Sequence, residues 1–398
     1  MAEDPLAQSY DIIVIGAGPA GSNAARAAAQ KGVRVLLIDQ RQRIGVPVQC
    51  AEFVPRWISR CADFSSACIL QSVETMMTHL PDGTSQEMKS PGFVLDRSLF
   101  DKELVTSAIL SGARISIETR AVGRSSEGVI VQHGTEQRLI RSNAIIGADG
   151  VHSSAAHWMG QPSLKSVVGL QCEIVMSKPQ THVDIFFHRD YEGGYAWFFP
   201  KGRTANVGLG AVPSKASYLS GLLNDFLKHL KETNKISRIE ILSMTGGSIP
   251  CEPRQQTLFE NTLLVGDAAG HAHPISGAGI LTAVMGGEIA GRVAAEATVR
   301  KDPEYLRNYE IEWQEAFGNS LSYGLLKRQF LEEKWNDPEV DFGNLIRKTW
   351  VGFKDYYEDR KKQTLRAKAL KYKSGGFESQ PFRADFREGV THGPENKS

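Results

Sequence analysis

The tightest constraint on this chain lies in its first forty residues. An apolar, β-branched run, Asp11 to Ile15, meets Gly16-Ala17-Gly18-Pro19-Ala20-Gly21. An alanine-rich stretch, Ser22 to Lys31, has helical composition, and Gly32 stops it. Val33 to Ile38 then reads as a second buried strand, ending at Asp39 and Gln40. Strand, glycine turn, helix, strand and acidic residue form the opening of a parallel βαβ unit. The glycines stand where a pyrophosphate needs them. Gly16 permits a tight turn, Gly18 lets backbone approach a phosphate, and Gly21 lets helix close on strand. Pro19 and Ala20 begin the helix whose N-terminus faces the negative charge. Asp39 lies at the spacing that reaches a ribose hydroxyl, with Gln40 beside it. We read this segment as a dinucleotide site; a tight turn without a ligand is the competing reading.

The rest of the chain bounds the function. Its 398 residues imply two to three units. Lys and Arg number 46 against 45 Asp and Glu, a net charge of +1, which argues against a dedicated nucleic-acid binder. The five cysteines are Cys50, Cys61, Cys68, Cys172 and Cys251, and no two form a Cys-x-x-Cys pair. That argues against a disulfide framework or structural zinc and suits a reducing cytosol. Residues 268–287 carry no Asp, Glu, Lys or Arg until Gly287 ends the run, but their Gly, His, Ser and Pro content reads as a buried loop and helix. The first ten residues lack a secretory pattern, so a cytoplasmic location is expected.

The expected architecture is α/β. It has a Rossmann-like parallel sheet over 1–165, with 69–91 contributing to a substrate sheet. An antiparallel substrate domain covers 166–254, and the chain returns to the first domain over 255–300. C-terminal helices span 301–373, and a disordered tail covers 374–398. Tyr309, Trp313, Phe317, Leu321 and Leu325 recur every four residues, a helical stripe expected to pack on the body. Residues 360–373 are strongly basic. This run reads as a solvated helix face or as a contact with anionic lipid headgroups at the cytoplasmic membrane face.

Two later segments repeat the strand-and-glycine-turn pattern. One is Gly147-Ala148-Asp149-Gly150. The other is Gly266-Asp267-Ala268-Ala269-Gly270, followed by Pro274 and Gly277-Ala278-Gly279-Ile280. With the first motif, these resemble the FAD-binding fold of the aromatic hydroxylase and geranylgeranyl reductase superfamily. The resemblance implies FAD, with Asp267 on the ribityl hydroxyls and the Ser276–Ile280 backbone facing the isoalloxazine. It also implies that Arg97 reaches the FAD phosphates and that Asp149 lies in the cofactor site. Arg97 has a second reading as an ion-pair partner of Asp101, and Asp149 as a turn former.

Three further segments narrow the resemblance to the geranylgeranyl reductase family over roughly residues 10–300. They are Pro47-Val48-Gln49-Cys50, Tyr195-x-Trp197-x-Phe199-Pro200 and Gly246-Gly247-Ser248-Ile249-Pro250. Two departures stand out. Ala51 and Glu52 follow the cysteine where the family usually has glycine, and Gly277-Ala278-Gly279 is closer to the aromatic hydroxylases. With period two, Tyr195, Trp197 and Phe199 project to one face of a strand, where they would line an apolar substrate or pack as core.

The leading expectation is reduction of isolated C=C bonds in an isoprenoid chain by hydride from reduced flavin. Cys50 or His273 would serve as proton donor, and His271 flanks the same loop. Cys50 has the alternative reading of a small buried hydrophobe. The runner-up is a flavin monooxygenase acting on an aromatic group, free or peptide-bound. A third reading is a non-catalytic assembly or electron-transfer flavoprotein. The sequence offers NAD(P)H, ferredoxin and a quinol alike as external reductant. No metal is expected, because two histidines at i, i+2 lack a carboxylate cluster.

Overall fold

The structure, a computed structural model, describes residues 4–358 apart from 8 and 177. The basic run at 360–373 and the tail at 374–398 lie outside the described residues. Strand β1 (Tyr10–Ile15), helix α1 (Pro19–Ala29) and strand β2 (Val35–Ile38) form the expected βαβ unit. After a loop come β3 (Phe53–Pro55), the hairpin β4 (Ile69–His79) and β5 (Ser85–Leu95), and α2 (Arg97–Leu110). Strands β6 (Arg114–Ser116), β7 (Thr119–Ser125), β8 (Gly128–His133) and β9 (Glu136–Gly147) precede the short α3 (Ser154–Trp158). Then follow β10 (Ser166–Val175), β11 (His182–Phe186), β12 (Ala196–Lys201), β13 (Thr204–Ala211), α4 (Leu219–Glu232) and β14 (Ile241–Pro250). Strands β15 (Leu258–Phe259) and β16 (Thr262–Leu264) lead to α5 (Ile280–Arg300). Helices α6 (Asn308–Trp313) and α7 (Asn319–Lys334) flank a π-turn at Gln314–Gly318, and α8 (Phe342–Thr349) follows.

The first sheet runs β15-β16-β9-β1-β2-β6, parallel from β16 to β6. Strand β1 is buried on both faces, as its unbroken apolar run requires of a central parallel strand. Helices α1 and α5 touch backbone to backbone. A Cβ at Gly287 would stand 2.1 Å from the Ala20 carbonyl oxygen, and one at Gly291 2.1 Å from that of Ala24. Contacts advancing in the same direction along both helices make them parallel, so their N-termini face the same side.

The second sheet runs β14-β10-β13-β12-β11-β4-β5-β3. It departs from the sequence expectation in two ways. The β11–β4 pair is parallel, because β11 joins a strand contributed from before residue 95. Helix α4 also lies within the strand-rich region; its Leu223, Phe226, Leu227 and Leu230 cover one sheet face. The β7–β8 hairpin is a further element that the sequence pattern does not announce. Along β12 the expected alternation holds: Ala196 and Phe198 face α4, and Trp197 and Phe199 enter the opposite core.

The C-terminal helices close that opposite core. Trp335, Phe342, Trp350, Phe353 and Tyr356 pack with Trp197 and Phe199. The α6–α7 stripe packs on the first sheet instead, through Tyr309, Trp313, Phe317 and Leu321. Tyr309 Oη donates to the Leu264 carbonyl at 2.5 Å, and Trp313 Nε1 to Thr257 Oγ1 at 2.9 Å. Among the described residues no helix is long and apolar enough to cross a membrane.

Candidate active site

The glycine loop after β1 is held by close backbone contact. A Cβ at Gly21 would lie 1.9 Å from the Gly16 carbonyl oxygen, and one at Gly16 would lie 2.4 Å from that of Ala148. Gly18 differs. Its φ of −82° suits any residue, and nothing lies within 4 Å of where its Cβ would be. No protein atom requires glycine there, so the space is the cradle that a pyrophosphate would fill. Gly18 caps α1 without a side-chain bond, Pro19 starts the helix, and Ala20 is buried against Gly266.

Asp39 follows β2 and is 5% exposed. It accepts from the Ala17 N–H at 2.8 Å and takes a bidentate grip from Arg41 at 2.9 and 2.7 Å. Burial alone would raise its pKa; Arg41 and the backbone donors outweigh burial and lower it. Gln40, next in the chain, is exposed. Asp149 accepts from Ser153 Oγ at 2.5 Å and from the N–H groups of Ser154 and Ala155 at 2.7 and 3.1 Å. Its carboxylate is thus engaged at the start of α3. Arg97 makes a bidentate pair with Asp101 at 2.9 and 3.0 Å.

Asp267 lies close beside the α5 N-terminus, its Oδ1 3.4 Å from where a Gly279 Cβ would stand. Burial pushes its pKa up to about 6, against the pull of the Arg97 charge. A desolvated carboxylate with room for donors fits ribityl hydroxyls. Gly277 holds a left-handed φ of 64°, Ala278 is exposed, and Gly279 caps α5 at Ile280 without a side-chain bond. Gly18, Asp267 and the α5 N-terminus therefore fit FAD.

Cys50 sits on the loop between β2 and β3. Its Sγ accepts from the Glu52 N–H at 3.2 Å. Burial raises the thiol pKa, and the Arg97 charge opposes that rise. The thiol is therefore a protonated, neutral group at neutral pH. Gln171 Nε2 donates to the Cys50 carbonyl at 3.0 Å, and its Oε1 accepts from Trp197 Nε1 at 2.8 Å. Trp197 lies over a glycine-paved strip, where a Cβ at Gly208 would stand 2.5 Å from its indole. Tyr195 Oη donates to the Ser276 carbonyl at 2.6 Å, tying the aromatic strand to the flavin loop. Burial, and then the neighbouring Cys50, raise the Tyr195 phenol pKa, so it too stays neutral.

Trp197 and Phe199 are each 6% exposed. Tyr195 packs against Trp350 at 4.9 Å between ring centroids, and Phe187 against Trp350 at 5.2 Å. The aromatic wall is thus covered by the chain's own C-terminal segment. The two histidines part ways. His271 is fully buried against Trp313 and Phe317, and neither ring nitrogen has a hydrogen bond. Burial pulls its pKa down to about 3, leaving a neutral core ring far less suited to proton donation than the sequence suggests. His273 Nδ1 accepts from the Ile275 and Ser276 N–H groups at 3.3 Å, and its Nε2 lies 3.4 Å from Tyr356 Oη. It braces the flavin loop. No cluster of metal-binding side chains occurs among the described residues.

Comparison with known proteins reads the same geometry from outside. The family model described as the geranylgeranyl reductase catalytic domain matches residues 169–249, and an NAD(P)-binding Rossmann-like model matches residues 14–62. The chain is 36% identical over 354 residues to digeranylgeranylglycerophospholipid reductase 2 of Methanococcoides burtonii, covering 80% of this chain and 83% of the relative. It is also 36% identical over 351 residues to the digeranylgeranylglycerophospholipid reductase of Methanococcus aeolicus, covering 83% and 90%. The chain belongs to the geranylgeranyl reductase family. It is an FAD-dependent oxidoreductase with that family's two-sheet fold. The solved structure of a geranylgeranyl bacteriochlorophyll reductase-like protein from Thermoplasma acidophilum superposes with a TM-score of 0.76 at 24% identity, covering 88% of this chain and 99% of the other. A flavin-dependent halogenase shares the fold at TM-score 0.67 and 16% identity, covering 95% and 74%.

Within this family frame, sequence reasoning passes over several residues that build the site. Gln171 links Trp197 to Cys50, Asn206 reaches the cysteine loop, and Tyr356 meets His273 from the C-terminal segment. Each belongs to a different element, so no local pattern marks it. Glu52 stands out in the sequence only as a departure from the expected glycine, with no role attached.

Proposed function

We propose that this chain reduces isolated C=C bonds of an isoprenoid chain carried on a glycerophospholipid, with Cys50 as the proton donor. The observation that carries this reading is the joint setting of Cys50. Its thiol is neutral, and its loop is tied by Gln171 to an apolar aromatic wall whose Tyr195 is bonded to the flavin loop. The relatives named as digeranylgeranylglycerophospholipid reductases supply the substrate class.

Reduced FAD, when bound, supplies the hydride. Asp267, Gly18 and the α5 N-terminus would hold the cofactor. Trp197, Phe199 and Tyr195 form the packed apolar backing of the site; an alkene, which offers no hydrogen bond, would be positioned by shape against the edge of this core that Cys50 borders. Cys50 gives its proton to the second alkene carbon as the first accepts hydride; the thiolate is then reprotonated from solvent. Arg97 steadies the thiolate while it lasts. NAD(P)H, ferredoxin and a quinol each remain compatible as the source of electrons.

The test uses dithionite-reduced holoenzyme under anaerobic conditions, so the natural donor does not enter. Cys50→Ala should keep parental flavin content and lose roughly 100-fold in turnover of a geranylgeranyl lipid, the range of a lost general acid. Parental turnover of this variant would remove the thiol from the chemistry. Failure of the parent to reduce any prenyl lipid, with oxygen uptake dependent on an aromatic compound, would replace the reading with monooxygenation.

A further inference from the structure

Glu52 is 2% exposed and holds a left-handed φ of 71°, a conformation unfavourable for a residue with a Cβ. Three elements grip its carboxylate. Oε1 accepts from the Arg97 N–H at the start of α2, at 2.9 Å. Oε2 accepts from Asn206 Nδ2 of β13 at 2.7 Å and pairs with Lys201 Nζ of β12 at 2.5 Å. The neighbouring carbonyls are pinned as well: Cys50 by Gln171 at 3.0 Å, Ala51 by Asn206 at 3.2 Å and Glu52 by the Leu95 N–H at 3.0 Å. At the end of this clamp, the Glu52 N–H points at Cys50 Sγ, 3.2 Å away.

We propose that Glu52 is a positioning residue for the reduction. Its carboxylate, held by Arg97, Asn206 and Lys201, locks residues 50–52 so that the Cys50 thiol stays in place with its proton. The proposal rests on the reading of Cys50 as proton donor. Such an arrangement is costly for a merely structural brace, because it buries a carboxylate and strains the backbone beside the Cys50 thiol. The charged and titratable groups around Cys50 are Arg97, Asp101, Glu52 and Tyr195. Arg97 draws the thiol toward thiolate; Glu52 and Asp101 oppose it.

Glutamine cannot replace this glutamate. Both oxygen positions face donors, so one end of the amide would set N–H against N–H. In Glu52→Gln, Arg97 is left with less opposition, and thiolate should form more readily. The readout is iodoacetamide alkylation of Cys50 against pH in the flavin-loaded protein, followed by peptide mass spectrometry. The midpoint should move to lower pH, with alkylation at pH 7 rising about tenfold, the effect of one pKa unit. Prenyl turnover should fall about tenfold or more with KM little changed. Folded, flavin-loaded Glu52→Gln with a parental alkylation profile would overturn the proposal. If Glu52→Gln does not hold flavin, Asn206→Ala takes its place: a shifted profile supports the clamp and an unmoved one overturns it. Should Cys50→Ala turn over normally while the Glu52→Gln profile still shifts, the role given to Cys50 falls and the clamp stands. Should Cys50→Ala be slow and the profile stay put, the clamp falls alone.

Discussion

Gly18 and Asp267 show what a single position can reveal about a group it awaits. Gly18 has an ordinary φ and empty space beside it, so Gly18→Val should purify without flavin yet melt at the temperature of the flavin-stripped parent. Visible absorbance per protein measures this, and flavin released from the parent should co-migrate with FAD and not FMN. Asp267 makes the complementary case, because its folded-state pKa of about 6 lies above the ordinary 3.8. The folded protein then holds that proton more tightly than the unfolded chain. Its contribution to stability is complete below about pH 4 and is lost as pH rises through about 6. Asp267→Asn removes the charge and so this loss. In flavin-stripped protein, the variant should melt higher than the parent at pH 8, with the gap closing at about pH 4, while its affinity for FAD falls. A parental pH dependence in the variant would show that Asp267 is not the strained group.

Element-scale behaviour turns on β12. Alternation puts Trp197 on the wall and Phe198 in the α4 core, but the indole N–H does more than fill space. Through Gln171 it holds the Cys50 carbonyl. The two roles separate by substitution. Trp197→Phe keeps a ring and loses the N–H, so turnover should fall several-fold with KM for a prenyl lipid little altered. Trp197→Ala also removes the ring that backs the site, a loss felt in both ground and transition states, so KM should rise as well. Steady-state kinetics on both variants decide, and equal effects on kcat and KM in both would reduce Gln171 to packing.

For the whole molecule, the C-terminal segment makes the wall a closed interior. Trp350 meets Tyr195 and Phe187 and donates from Nε1 to Thr78 Oγ1 at 3.1 Å. Trp350→Ala should cost about 3–5 kcal/mol of stability, the range for a buried large aromatic. Flavin content should stay parental, since Gly18, Asp39 and Asp267 lie on other elements; denaturant titration with flavin quantitation checks both. How much of this was legible beforehand follows from where each signal resides. The βαβ unit, the Gly266–Asp267 turn and the β12 alternation are local patterns: backbone sterics and side-chain period write them within a few consecutive residues. So the sequence by itself determined the FAD fold, the Cys50 loop and the aromatic face. The Glu52 clamp joins residues 52, 97, 201 and 206, and the covering of the wall joins residues 195 and 350. His271 is placed beside the Gly277–Gly279 loop by its neighbours in sequence but sealed behind Trp313, which a later helix brings over it. Only the tertiary structure decided these, because hydrogen bonding and burial depend on distance in space, which chain separation does not encode.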